Sequence, residues 1–446
     1  MATTFNGAVT NASTGSGLVD LFAVIGASRG KDLIREFKTA LYLNEDVAIR
    51  TLLWARDVRG GAGERQTFRN LFVWLCENKS EIATKILPKI PEIGRWDDVL
   101  VAMDTPIKKD VVSLLQKALI EKNGLCAKWL PRKGNIAVQL TRAFGLSPKQ
   151  YRKMLVGLTA VVEQQMCAKN WQEINYEHVP SVATARYRQA FKRHDEQRFN
   201  SFIAKALKGE AKINASAIFP HDVLKNIRDE KQHPAMQAQW QNLPNYLPEN
   251  VNILPMIDVS GSMGCMGAAG VINVAIALGI YTAQRASGDL KNKFLTFSES
   301  PCLVSFDGDA HIAEIANSVS RTHWGMNTNL FLAAKRVVEL ETQPDNIMIF
   351  SVMEFDQSCK ENQKTNFEKI ENLYKTHNKK MPKFVFWNLR ARVGNNPVRI
   401  DDTGVCLVSG FSPAIMKAVL ACETEKITPE KIMLDAVMVE RYNWNI

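Results

Sequence analysis

The spacing of apolar residues changes once along the chain, near residue 250, and that change constrains the fold more than any other feature. From residue 16 to 230, apolar side chains recur three and four apart in "KDLIREFKTALYL", "VAIRTLLWARDV", "RNLFVWLCENK", "VVSLLQKALIEK", "PKQYRKMLVGLTAVVEQQM" and "VATARYRQAFKRH". This is the period of helices that bury one face. Short turns such as "KIPEIGRWDD" suggest stacked helix pairs of a degenerate HEAT-like repeat without a clean period. Beyond residue 250 the rhythm shortens. The apolar runs "VNILPMIDV", "KFLTFS", "PCLVSF", "NIMIFSV", "KFVFWNL" and "GVCLVSG" alternate with "GVINVAIALGIYTAQRA", "NLFLAAKRVVEL", "FEKIENLYKTH" and "PAIMKAVLA". Strands buried on both faces and separated by helices predict a doubly wound, mostly parallel sheet with its ligand site at the carboxyl ends of the strands. The fold class is therefore multidomain, α and α/β. Residues 1–15 are expected to form a flexible tail, 16–230 a helical-repeat domain, 231–250 a connector rich in Pro, Gln and Asn, and 251–446 the α/β domain.

A length of 446 residues exceeds what one ordinary core supports, which agrees with the division. No apolar run approaches the roughly 18 residues of a membrane span. The polar start "MATTFNGAVTNASTGSG" lacks the basic and apolar segments of a secretory signal, so a cytoplasmic protein is expected. The eight cysteines are scattered singly, which argues against zinc and a disulfide framework. The formal charge of +10 points towards an anionic partner.

The strand-end run "ILPMIDVSGSMGCMGAAG" places Asp258, Ser260 and Ser262 at alternate positions where a buried strand gives way to small residues. Two hydroxyls and a carboxylate, acting directly or through water, form an oxygen-only nest of the kind hard cations such as Mg²⁺ accept. A second loop, "HWGMNTNLFLAA", offers Thr328 between Asn327 and Asn329 at a helix start. The competing reading is that the serines cap the following helix and Asp258 satisfies backbone amides.

Asp-x-Ser-x-Ser followed some 65 residues later by such a threonine resembles the von Willebrand factor A domain with its metal-ion-dependent adhesion site. That resemblance implies that Ser260, Ser262 and Thr328 contact Mg²⁺ or another divalent cation, that Asp258 acts beside it, and that an acidic protein partner completes the shell. It also implies an aspartate at the end of the fourth strand. This chain reads "FSVMEFD", with Val352 at that place, so metal binding is expected to be weak or absent.

In the helical half, "LLWARDVRGGAGERQTFRNLFVWL", "IPEIGRWDDVL" and "WLPRKGNIAVQLTRAFGLSPKQYRKMLVGL" resemble the TROVE module, the helical ring of the Ro autoantigen family, most closely its bacterial and phage branch. TROVE followed by an A domain is the Ro arrangement, and "FVFWNLR" and "LVSGFSP" are similar to that branch too. The resemblance implies an RNA partner, either the single-stranded 3′ end of a misfolded transcript or a structured small non-coding RNA. The cations suited to that role are Lys128, Arg132, Lys133, Arg142, Lys149, Arg152, Lys153, Arg186, Arg188, Lys192, Arg193 and Arg198. Lys149, Arg152 and Lys153 share a helical face, as do Arg188 and Lys192. Such ridges neutralise phosphates irrespective of sequence. Arg142 matches a basic hole-lining position of the family, whereas a histidine of the animal proteins has no counterpart near Val156.

Arg56, Asp57 and Arg59 before "GGAGER" lack the lysine and Ser/Thr of a phosphate loop and read as a tight interhelix turn. Arg95, Trp96, Asp97 and Asp98 read as a helix start with acidic first-turn residues. A non-catalytic RNA-binding protein is the leading expectation. A metal-dependent protein adaptor follows, and a hydrolase is weakest, because no base is evident beside Ser260 or Ser262.

Overall fold

The computed structural model describes residues 2–159, 161–215, 217–224, 234–264, 270–297, 300–319, 328–356, 365–390, 392–420 and 427–444. A helical half is followed by a six-stranded sheet flanked by helices. The helical half opens with Gly17–Ile25, Ile34–Leu43, Glu45–Arg56 and Gln66–Asn78, each presenting apolar residues to one core. Asn44 starts the third by accepting the Val47 N–H, the usual service of an N-cap. The turn at "KIPEIGRWDD" is a short helix, Ile90–Ile93, running into a 3₁₀ helix, Trp96–Ala102, where Asp98 accepts the Arg95 N–H. Asp98 is fully buried and also takes Arg56 at 2.6 Å and Arg69 at 2.7 Å. Its acidic side chain therefore caps one element and ties two others to it. In "GGAGER" a Cβ on Gly61 would meet the Trp54 carbonyl oxygen at 1.9 Å, so only glycine permits that return of the chain.

The sheet contains β3 (Ile253–Asp258), β4 (Lys293–Phe297), β5 (Cys302–Ser305), β6 (Asn346–Ser351), β7 (Lys383–Asn388) and β8 (Val405–Ser409), in the order β5-β4-β3-β6-β7-β8. All neighbours run parallel except β4 and β5. The order reverses between β3 and β6, so a crevice opens beyond their carboxyl ends. Alternate side chains go to opposite cores. Ile253 and Ile257 join the helical half's core, while Leu254 and Met256 pack beneath Leu330–Val338 and Asn366–Thr376.

Both ends of the helical run dock on this sheet domain. At its start, Ser409 at the end of β8 accepts the Gly26 N–H and donates to the Phe22 carbonyl, and Asp57 takes Arg441 and the Tyr442 hydroxyl. At its end, Trp240 donates to Gln284 at 2.7 Å and Gln237 accepts the Ile312 N–H at 2.9 Å. The helices thus leave the sheet domain at one place and return to it at another.

Four expectations are corrected. Of the expected free tail 1–15, residues 2–15 are packed: β1 (Ala2–Thr3) pairs with β2 (Val9–Thr10), Thr4 donates to the Phe355 carbonyl, and Asn11 bridges to Asn396, while Met1 lies outside the described residues. Loops after β6 and β7 leave backbone groups open, and this polar segment satisfies them. The connector contains a helix, Pro234–Gln241, because Ala235, Met236, Ala238 and Trp240 bury there; residues 231–233 and the proposed boundary at 230 lie outside the described residues. The long helix foreseen from Pro148 breaks into Pro148–Leu158 and Val162–Cys167, since Thr159 begins a run with β-branched Val161 and Val162. Finally, β5 is an exposed antiparallel edge strand, not one buried on both faces.

Candidate functional site

The crevice is built on the last residues of β3 and β6. Asp258 is fully buried; its Oδ1 accepts the Ser260 N–H at 3.0 Å and its Oδ2 accepts the Ser351 hydroxyl at 2.5 Å. Ser351 in turn accepts the Met353 N–H at 2.9 Å, which the left-handed conformation of Met353 (φ 62°) directs back onto it. The Ser260 and Ser262 hydroxyls lie 2.9 Å apart. Thr328 is buried before Leu330–Val338 and donates its N–H to Asp356, which returns its own N–H to the Thr328 carbonyl at 2.9 Å. Asn329 caps that helix through the Leu332 N–H. Asn327 lies outside the described residues.

Burial raises the Asp258 pKa to about 6; bonds from Ser260 and Ser351 oppose the rise, and repulsion from Asp356 adds to it. Asp356 is also raised, chiefly by burial. The structure therefore brings Asp258, Ser260 and Ser262 together, while Thr328 is bonded to Asp356, whose charge is near enough to repel that of Asp258. Ser351 was missed in the sequence, although it ends an apolar run just as Asp258 does.

The donor set is a poor match for Mg²⁺, which requires six oxygens in near-ideal octahedral geometry. The Thr328 Oγ1 is buried without a hydrogen-bond partner among the described residues and would suit a cation. Against it, both oxygens of Asp258 are held by neighbours, and Val352 is buried where a further oxygen is needed. Above the serines a cavity of about 230 Å³ is lined by Ser262, Val352, Glu354, Lys31, Arg390 and Arg392, and three cations facing one carboxylate repel a dication. No group of three or more His, Cys, Asp or Glu suited to a metal occurs among the described residues.

The basic residues of the helical half separate into two sets. Lys133, Arg142 (on Asn135–Ala143) and Lys149, Arg152 and Lys153 (on Pro148–Leu158) are exposed and have no acidic partner among the described residues. Arg186, Lys192 and Arg193 are exposed on Ser181–His194. Others are engaged in the fold. Lys128 pairs with Glu163 at 3.7 Å, Arg132 donates to Thr159, and Arg198 holds Asp195 and the carbonyls of Trp171 and Ile174. Arg188 corrects the expectation: it is 1% exposed and unavailable to a phosphate, because its helix packs that face against Glu196–Leu207 and Pro234–Gln241. Lys192, one turn on, lies beyond that contact and remains exposed.

Similarity to known proteins is broad but carries little functional information. The chain is 25% identical to the uncharacterised protein L728 of Acanthamoeba polyphaga mimivirus, over 97% of this chain and 86% of that protein. It is similar to the crystal structure of the Ro (RSR) protein of Deinococcus radiodurans, with 13% identity and a TM-score of 0.48, covering 96% of this chain and all of that one. Residues 252–442 match a domain of unknown function, DUF7788, and residues 4–128 and 133–251 match a second, DUF2828. Since the second match spans more than half of its length, the chain belongs to the DUF2828 family.

Proposed function

We propose that this chain is a non-catalytic RNA-binding protein that resembles Ro, its helical half forming a HEAT-like ring closed on an A-type sheet domain. The observation that carries the reading is the set of exposed cations, without acidic partners among the described residues, on the consecutive helices Asn135–Ala143 and Pro148–Leu158. An acid three or four residues away can compensate a lysine or arginine on a helix face. Among the described residues Lys149, Arg152 and Lys153 meet none, which suits this surface to an external polyanion. Docking of both ends of the helical run on the sheet domain supports the closed ring. Its ligand is a single-stranded 3′ end or a structured small RNA, held by phosphates. The crevice at Asp258, Ser260, Ser262 and Thr328 works with weak metal binding or none, which disfavours a metal-dependent adaptor. The test is filter binding of a single-stranded RNA to a variant with Arg142, Lys149 and Lys153 changed to alanine. Affinity should fall at least tenfold, while Lys335→Ala with Arg336→Ala, exposed on a helix of the sheet domain, should leave it nearly unchanged. Equal losses from the two variants would mean that net charge alone attracts the RNA.

A further inference from the structure

Four arginines crowd about two aspartates where the glycine turn enters the helix Gln66–Asn78. Three of them are committed to the fold. Arg56 is fully buried and pairs with Asp98 at 2.6 Å. Arg69 pairs with Asp97 at 2.8 Å and with Asp98 at 2.7 Å. Arg95 donates its Nε–H to Asp97 at 2.8 Å and lies 3.8 Å above the ring of Trp129, and these two contacts fix the plane of its guanidinium. Arg65 has neither an ion pair nor a side-chain hydrogen bond among the described residues. Its neighbour Glu64 does not serve it: Oε1 accepts the Gln66 and Thr67 N–H groups, and Oε2 takes Arg29 at 3.2 Å. Partial burial, and then repulsion from Arg95 and Arg56, lower the Arg65 pKa, and each repulsion exceeds the attraction of Asp98 or Asp97. The free guanidinium therefore stands on the arginine side of the cluster and not beside an acid. Acceptors are short in the interior as well, since Arg56 Nη1 is buried without a hydrogen-bond partner among the described residues. Four cations sharing two carboxylates, with donors left over, suit a compact oxyanion, and planar guanidinium forks match the oxygens of phosphate.

We propose that Arg65 and Arg95 hold a phosphate group at the mouth of this cluster, beside the buried charge of Arg56. Arg65 is exposed and Arg95 half-buried, so solvent reaches both. Side chains hold the phosphate here, not the backbone amides of the glycine turn, and the site does not rest on the reading of the basic helices. The group belongs either to a small phosphate or to the backbone of an RNA strand.

The experiment compares the full chain with Arg65→Ala and Arg65→Lys in two assays. Melting curves are recorded in inorganic phosphate, acetate and chloride at equal ionic strength, and filter binding of a single-stranded RNA is measured at several salt concentrations. Because Arg65 ties nothing in the fold, Arg65→Ala should melt no lower than the parent in chloride. A small-phosphate site predicts that phosphate raises the parent's melting temperature and acetate does not, that Arg65→Ala removes the rise, and that Arg65→Lys keeps part of it. An RNA site predicts that Arg65→Ala makes the slope of log affinity against log salt shallower by about 0.7, both in the parent and in the variant already lacking Arg142, Lys149 and Lys153. Lys335→Ala should leave that slope unchanged. Either loss supports the proposal and names the source of the phosphate. No loss in either assay would overturn it, as would acetate raising the melting temperature as much as phosphate. A melting temperature of Arg65→Ala in chloride well below the parent's would overturn it too, because Arg65 would then be a strut of the fold.

Discussion

Replacing Asp258 with asparagine tests the electrostatics of the strand-end crevice. The carboxyl is fully buried and its pKa is raised from an ordinary 3.8 to about 6. A raised folded-state pKa means that this group's contribution to stability is fully present below pH 3.8 and is lost as pH rises through 6. The gap is roughly two pH units, and at about 1.4 kcal/mol per unit the ionised carboxylate costs about 3 kcal/mol near pH 7. Asparagine keeps an acceptor for the Ser260 N–H and presents an N–H to Ser351, but the Ser351 proton must find another acceptor. That loss, about 1 kcal/mol, does not vary with pH. The quantity to read is therefore the change in the stability difference between variant and parent, not its value at one pH. Urea-unfolding midpoints in EDTA at pH 4, 5, 6 and 7 should show Asp258→Asn gaining about 2.4 kcal/mol on the parent across that range, since a small part of the roughly 3 kcal/mol is already lost at pH 4. A difference that stays constant with pH would show that Asp258 does not titrate as a buried, metal-free acid, and the crevice would have to be redrawn.

Further perturbations probe the scaffold around that site. Asp98→Ala should destabilise the chain by about 3–5 kcal/mol, because it leaves the fully buried Arg56 without its counter-charge; circular dichroism melts would show the loss. Deleting residues 2–14 should lower the melting temperature, since it removes the bonds from Thr4, Phe5 and Asn11 to the loops after β6 and β7; an unchanged melting curve would contradict their packed state. Millimolar Mg²⁺ should shift the melting temperature of the parent little. Val352→Asp should introduce a metal-dependent rise, because a ligand that binds only the folded state stabilises it by mass action. Failure of that variant to respond would show that the crevice is not a degraded adhesion site.

How much was legible depended on how local the cause was. The interior strands were readable because a strand buried on both faces has to be a continuous apolar run, as Ile253–Asp258, Asn346–Ser351 and Lys383–Asn388 are. β5 has an equally apolar sequence, but its place at the sheet edge is a matter of topology. The helix Pro429–Val437 passed unnoticed despite a readable start, Thr428 capping Lys431 with proline at the first position. The terminal hairpin was not readable at all: two-residue strands carry no periodicity, and their partners lie some 350 residues away. Long-range packing likewise decided Arg188, for which helical spacing gave the correct neighbour and the wrong exposure. At the crevice, Asp258, Ser260 and Ser262 stood together in one motif. Lys31 and Arg390 meet only in the fold, although Arg390 and Arg392 sit just past a strand's carboxyl end, where ligand-facing residues are to be expected.

RNA binding through the exposed cations of Asn135–Ala143 and Pro148–Leu158 is the central claim, and the salt dependence of affinity tests it most directly. Each phosphate contact on a single strand contributes about 0.7 to the slope of log affinity against log salt. Binding of a single-stranded RNA measured between about 50 and 200 mM salt should therefore give a slope shallower by about 2 when Arg142, Lys149 and Lys153 are alanine. Sequence preference should not move, because phosphates carry no base information. A parental slope that the triple variant leaves unaltered, with RNA still bound, would place the contacts elsewhere on the molecule and contradict the account.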